Sequence, residues 1–185
     1  MNKVHCILLA TMMLLSSCGK KKFADEILQM QSRPIDMTPC EEAYCYEEGK
    51  EIKYNCKDST YKLVIYIDSL SCSPCFVSHM SDYMGTLVDF DSLGVNTLFI
   101  FEPKQKQKEE VKFLLEQQAY PFLTIVVDNC AFSKDNPHLP ASSVLHSFLL
   151  NKKNEVVIAG NPVRNTQIKD LMLSSVKRRG CNDNR

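Results

Sequence analysis

Residues 63–67 read Leu-Val-Ile-Tyr-Ile, an unbroken apolar run only five residues long. A strand on a wet surface alternates polar and apolar positions. A run without alternation, β-branched and too short for a buried helix, predicts a strand covered on both faces. Such a strand needs helices above and below its sheet, so the chain is expected to build a layered α/β domain.

The segments that follow support this reading. Residues 75–90 place Phe76, Met80, Met84, Leu87 and Val88 at three- and four-residue steps, the spacing of a half-buried helix. After Gly94, residues 95–101 (VNTLFIF) predict a second strand. Residues 104–118 then predict a charged helix with Val111, Leu114 and Leu115 inward. Pro121 opens a third strand over 122–127, and residues 128–143 read as a loop. Strands over 144–150 and 155–159 flank a turn at 151–154, and a last helix over 166–176 turns Ile168, Leu171, Met172 and Val176 inward. The expected core is therefore a mixed five-stranded sheet with helices on both faces, over residues 61–180. Residues 18–60 form a linker and N-terminal extension, with a helical pattern at 23–31 ended by Pro34. Either an extension or a hairpin, with a short strand near 51–55, is expected after it.

The chain has 185 residues, 44% apolar and 24% charged, enough for one domain with a core. The formal net charge is zero, so no basic excess exists to neutralise phosphates, which argues against a nucleic-acid partner. Residues 1–17 have a basic start at Lys3 and an apolar stretch of about ten residues, too short to span ~30 Å of hydrocarbon. That is the layout of a secretory signal peptide. Leu15-Ser16-Ser17-Cys18 resembles a bacterial lipobox, which implies cleavage before Cys18, acylation of Cys18 and attachment to a membrane. The expected location is the bacterial cell envelope, lipid-anchored and facing the periplasm.

Export changes what the nine cysteines can do. Cys6 leaves with the signal and Cys18 is blocked. Cys40, Cys45, Cys56, Cys72, Cys75, Cys130 and Cys181 remain where disulfides persist. Seven is odd, so they cannot all pair within one chain. Cys72 and Cys75 are separated by Ser73 and Pro74 and fall just after the predicted strand 63–67, where a helix begins. The first amides of a helix lack intrahelical partners and favour negative charge, so a thiolate at Cys72 is stabilised there. Side chains three apart share a side of the helix, so the two sulfurs can meet while Cys72 stays the more exposed. Spacing alone leaves three roles open: a redox couple, a structural staple and a pair of metal ligands.

A strand followed by Ser71-Cys72-Ser73-Pro74-Cys75 at a helix start, with the late strand–turn–strand SFLLNKKNEVVIAGNP (147–162), resembles the thioredoxin-like superfamily. More narrowly it is similar to exported thiol-disulfide interchange lipoproteins of the Bacteroidetes type. The resemblance covers roughly residues 60–178. It implies a thioredoxin-like fold and thiol–disulfide exchange, with Cys72 as the attacking thiol and Cys75 as the resolving thiol. No cofactor is required. The implied partners are cysteine-containing exported proteins and a redox donor, with the membrane reached through Cys18. Two positions depart from the family pattern. Ser71 stands where an aromatic residue is usual, and Leu145 stands where many members carry a cis-proline. The alternatives are a non-catalytic binding or accessory module on the same fold, a thiol peroxidase, and a metal-handling variant. The Pro-x-x-x-Thr/Ser-x-x-Cys signature of peroxiredoxins is absent.

Other polar residues near this region have competing roles. Asp68 ends the first core strand and either shuttles a proton or caps the following loop. His146, next to Leu145, is expected to pack near the reactive face. His79 could join Cys72 and Cys75 as a metal ligand or sit solvated on its helix, the expected case. Cys130 follows the third strand and either exchanges with Cys72, pairs with an N-terminal cysteine or stays an isolated thiol. Cys40, Cys45 and Cys56 are expected to form a structural bridge.

Overall fold

The run 63–67 occupies the middle of the sheet. The computed structural model describes residues 21–54 and 61–180. The signal peptide, Cys18, Cys56 and Cys181 therefore lie outside the described residues. In chain order the strands are β1 (Tyr44–Glu47), β2 (Lys50–Ile52), β3 (Tyr61–Ile67), β4 (Asn96–Phe101), β5 (Leu123–Val126), β6 (Ser147–Asn151) and β7 (Val156–Ala159). They form one sheet in the order β2-β1-β5-β4-β3-β6-β7. β3, β4 and β5 run parallel, whereas β6 is antiparallel to β3.

The alternating pleat of β3 sorts its side chains onto two cores. Leu63, Ile65 and Ile67 face one core with Phe90, Phe99, Phe101 and Val111. Val64 and Tyr66 face the other with Ile100, Phe132, Phe148 and Leu150. Phe99 and Phe101 are fully buried, each contributing about 1.5–3 kcal/mol of apolar transfer. The first face is covered by α3 (Ser73–Ser78), α4 (Met84–Asp91), α5 (Lys108–Gln118) and α7 (Thr166–Gly180). The second is covered by α1 (residues 21–30), α2 (Thr38–Glu41) and α6 (Ala131–Asp135). Among the described residues no helix is long and apolar enough to cross a membrane.

Three expectations need correction. First, the sheet has seven strands rather than five, because the hairpin β1–β2 pairs antiparallel with β5. The hairpin turn is Glu48-Gly49, both at positive φ (52° and 74°), the geometry that two-residue hairpin loops require. A Cβ on Gly49 would stand 2.6 Å from the Glu116 carbonyl oxygen, so no larger residue fits. On β1, the Tyr44 ring carries the ammonium of Lys112 at 3.3 Å and that of Lys108 at 4.6 Å, tying the hairpin to α5. Such contacts contribute about 0.5–1 kcal/mol each at exposed sites. None of this is visible as a long apolar run.

Second, the helix expected over 75–90 is broken. α3 ends at Ser78, His79 leaves helical geometry (φ −111°, ψ 9°), a 3-10 turn spans Met80–Tyr83, and α4 follows. Third, residues 128–143 contain the short helix α6, and β6 starts at Ser147 because Ser143–Leu145 form a 3-10 turn. Cys40 and Cys45 are buried in the second core, and Cys45 is outside any disulfide; the expected bridge also involves Cys56, which lies outside the described residues. The turn at 151–154 is as expected: Asn151 Oδ1 accepts from the N–H groups of Lys153 and Glu155. α7 begins where Asn165 Oδ1 accepts from Gln167 and Ile168, an N-cap that the sequence Asn-Thr-Gln allows.

Candidate functional site

Parallel pairing brings the carboxyl ends of β3, β4 and β5 to one edge of the sheet, and antiparallel β6 begins at that same edge. Chemistry in open α/β sheets gathers there. The loop after β3 delivers Cys72, the residue after β4 is Glu102, the turn after β5 holds Cys130, and His146 precedes β6.

Cys72 and Cys75 are joined by a disulfide, with Cα atoms 5.3 Å apart, inside the range such bonds require. Cys72 is the residue at the α3 N-terminus, and its carbonyl accepts the N–H of Phe76 at 3.0 Å. Pro74 fits because the first helical turn has no use for its missing N–H. Because α3 is only six residues long, its effect on a thiolate comes from the amides of that first turn rather than from a long helix. Both cysteines are exposed. The expected shielding of Cys75 is not seen, because Ser73, Pro74 and Val77 supply the inward face of α3. The Ser73 hydroxyl is fully buried and has no hydrogen-bond partner.

Asp68 holds the loop that presents Cys72. Its Oδ1 accepts from the Leu70 N–H at 3.1 Å, the Ser71 N–H at 2.9 Å and the Ser71 hydroxyl at 2.7 Å. Of the two roles considered for Asp68, loop capping is the one with visible partners. Leu70, at the crown of that loop, is 82% exposed.

His146 is buried against the Tyr66 ring, with centroids 4.9 Å apart. Its Nε2 lies 2.9 Å from the Pro140 carbonyl oxygen. A carbonyl can only accept, so Nε2 is the donor in this contact, while Nδ1 lies 3.7 Å from Asp68 Oδ2. Leu145 is a buried core residue, and no cis peptide occurs among the described residues. His79 is exposed, 3.8 Å from Asp82. Among the described residues no group of three or more His, Cys, Asp or Glu is arranged to hold a metal ion. Cys130 is half-buried at the start of α6, in left-handed geometry (φ 54°), outside any disulfide.

The sequence reading missed Glu102. It is 1% exposed. It accepts from the Tyr66 hydroxyl at 2.6 Å and from the Ser133 N–H at 2.9 Å. Burial first, then the bond and charge of Glu102, push the Tyr66 phenol pKa up, so Tyr66 remains a donor. The signal was a carboxylate directly after an apolar strand and before Pro103. Arg33 and His138 were also missed: the Arg33 Nε–H donates to His138 Nδ1 at 2.8 Å, tying the segment after α1 to the loop after α6.

No family model matches this chain, and no curated protein matches it. Solved structures of similar shape are thioredoxin-like proteins and peroxiredoxins. One is the Xanthomonas campestris bacterioferritin comigratory protein, studied for alkyl peroxide reduction (15% identity, 79% of this chain, 95% of that chain, TM-score 0.49). Another is the thioredoxin domain of a thiol-disulfide oxidoreductase from Bacteroides vulgatus (12% identity, 76% and 98%, TM-score 0.48). A third is a thioredoxin-like protein from Porphyromonas gingivalis (13% identity, 79% and 93%, TM-score 0.47). At these identities and scores the likeness assigns no activity, which has to be argued from the site itself.

Proposed function

We propose that this protein is an exported, lipid-anchored thiol–disulfide oxidoreductase of the thioredoxin-like superfamily, working through Cys72 and Cys75. The observation that carries the reading is the exposed Cys72–Cys75 disulfide at the carboxyl end of central strand β3. Exposed disulfides are the labile ones, whereas structural ones are usually shielded. In the reduced protein the Cys72 thiolate attacks one sulfur of a substrate disulfide. The substrate S–S bond breaks, a mixed disulfide forms, and one substrate thiolate leaves and takes a proton from water. The Cys75 thiolate then attacks the Cys72 sulfur, releasing the second substrate thiolate and re-forming the Cys72–Cys75 bond. Two electrons have passed to the substrate, and a dithiol donor restores the pair.

The partners in this reading are exported proteins with cysteines, together with that donor. The signal-like residues 1–17 and the lipobox-like Leu15–Cys18 support anchoring to the cell envelope through acylated Cys18, facing the periplasm. Reduction of insulin in the presence of dithiothreitol tests the chemistry. Wild type is expected to accelerate precipitation of the insulin B chain, and Cys72→Ser and Cys75→Ser are expected to abolish the acceleration. Equal background rates from all three proteins would contradict the reading.

A further inference from the structure

Helix α1 lies along β7, the strand at one edge of the sheet. The Ile35 N–H donates to the Asn154 carbonyl at 2.8 Å, and Gln31 Nε2 donates to the Val156 carbonyl at 3.2 Å. The two segments therefore run antiparallel, and Ile27 and Phe23 continue along β7 toward Asn161. Across this edge, between α1 and α7, opens a groove of about 660 Å³. Phe23, Ile27, Val144, Ile158, Ile168 and Leu171 make it apolar. Its rim is uncovered: Phe23 is 42% exposed, Leu171 50% and Val144 61%. Among the described lining residues Arg164 alone is charged, and Lys21 and Lys22 stand exposed just ahead of Phe23. β6 is antiparallel to both β3 and β7, so β7 runs parallel to β3. The Asn161 end of the groove therefore lies at the edge that carries Cys72, two strands from β3, or roughly 10 Å.

What covers this groove follows from where the chain before it leads. Cys18 stands three residues before Lys21, which begins α1. Fully extended chain and two helical steps put Phe23 at most about 14 Å from Cys18. The headgroup layer on each side of a bilayer is about 5–8 Å deep. Acyl chains on Cys18 therefore hold the Phe23 end of the groove at a lipid surface. Apolar rim side chains beside three cations match such a surface, with hydrocarbon inside and phosphate at its boundary.

We infer that this groove is a second membrane contact, filled by lipid acyl chains of the leaflet that holds Cys18. The inference rests on the acylation proposed above and adds how the anchored domain is oriented. Phe23, Val144 and Leu171 enter the interface, while Lys21, Lys22 and Arg164 meet phosphates. The disulfide edge is thereby held against the membrane, and polypeptides at the bilayer surface are the substrates it reaches first.

The chain has no tryptophan, so a single introduced indole reports alone. Phe23→Trp, Leu171→Trp and Phe113→Trp are purified as the mature acylated protein and placed in phosphatidylethanolamine–phosphatidylglycerol vesicles. Phe113 is the control: it is 59% exposed on α5, the helix tied to the β1–β2 hairpin at the far end of the sheet. Emission from Phe23→Trp and Leu171→Trp is expected to shift to the blue in vesicles and to be lost when the acyl chains carry bromine. Emission from Phe113→Trp should keep its wavelength and intensity. Vesicle flotation and the mass of the Cys18 peptide report anchoring separately. Anchored, folded protein whose groove tryptophans behave like Phe113→Trp would overturn the membrane contact alone. A blue shift that bromine leaves unquenched would put a second copy or another polypeptide in the groove, and would overturn it too. A Cys18 peptide without acyl mass, from protein that does not float, would overturn the anchoring and this inference with it.

Discussion

The Tyr66 hydroxyl donates to the Glu102 carboxylate across 2.6 Å, under the edge of the sheet that carries the disulfide. The carboxylate is 1% exposed and its other oxygen accepts from the Ser133 N–H. Two donors replace the water that burial removed. Removing one leaves a buried acceptor short of a partner. Tyr66→Phe is therefore expected to lower unfolding free energy by about 1–3 kcal/mol. Urea denaturation followed by circular dichroism measures it, and an unchanged midpoint would show that the bond contributes nothing net.

His138 makes stability depend on acid. Burial, and secondarily the positive charge of Arg33, hold its pKa below the ordinary histidine value of 6.5. A depressed folded pKa means that the unfolded chain binds the proton more readily. The contribution of neutral His138 is fully present above about pH 6.5 and is lost as pH falls through the folded value. Protonation would also turn the Nδ1 that accepts from Arg33 into a donor. His138→Gln is expected to flatten the fall in melting temperature between roughly pH 6.5 and 5. A wild-type-like fall in the variant would remove His138 from the account.

Cys45 is expected to be inert in the folded protein. Burial, helped by the Glu51 charge, pushes its thiol up to about 11. Its S–H points at the carbonyls of Ala43 and Cys40. Since the thiolate is the nucleophile, iodoacetamide at pH 8 should leave Cys45 unlabelled until the chain is unfolded. Mass spectrometry of the native, reduced protein checks this, and labelling as fast as at Cys72 would contradict the burial seen.

Ser73 has the opposite fault to a missing bond. Its hydroxyl is buried without a partner between the two cysteines. Ser73→Ala removes a desolvated polar atom and should leave stability unchanged or raise it by up to about 1 kcal/mol. A loss of stability, read as a lower urea midpoint, would show that the hydroxyl has a partner in solution.

The parts of this architecture that were legible in the sequence have strong periodicity. Five apolar residues in β3 demanded cover on both faces, and the structure supplies two cores. The Asn151–Asn154 turn was readable because asparagine bonds its own backbone. The β1–β2 hairpin joins the sheet through long-range pairing with β5 and a cation-bearing tyrosine, which no local pattern encodes. The break at His79 was hidden because the helical spacing of Phe76, Met80 and Met84 continues across it. At the site, Cys72 and Cys75 announced themselves by spacing. The inward turn of Ser73 and Pro74, which leaves Cys75 exposed, depends on how α3 rotates against the sheet. Glu102 and His146 meet Tyr66 only because β4 and β6 flank β3.

Redox titration of the Cys72–Cys75 pair tests the central claim most directly. The protein is equilibrated in glutathione or dithiothreitol buffers, and the thiol fraction at these two positions is read by alkylation and mass spectrometry. A couple that cycles is expected to titrate between about −120 and −270 mV, where exchange-active proteins lie. A midpoint well below about −300 mV would mark a structural bridge that no cellular thiol opens, and would contradict the account.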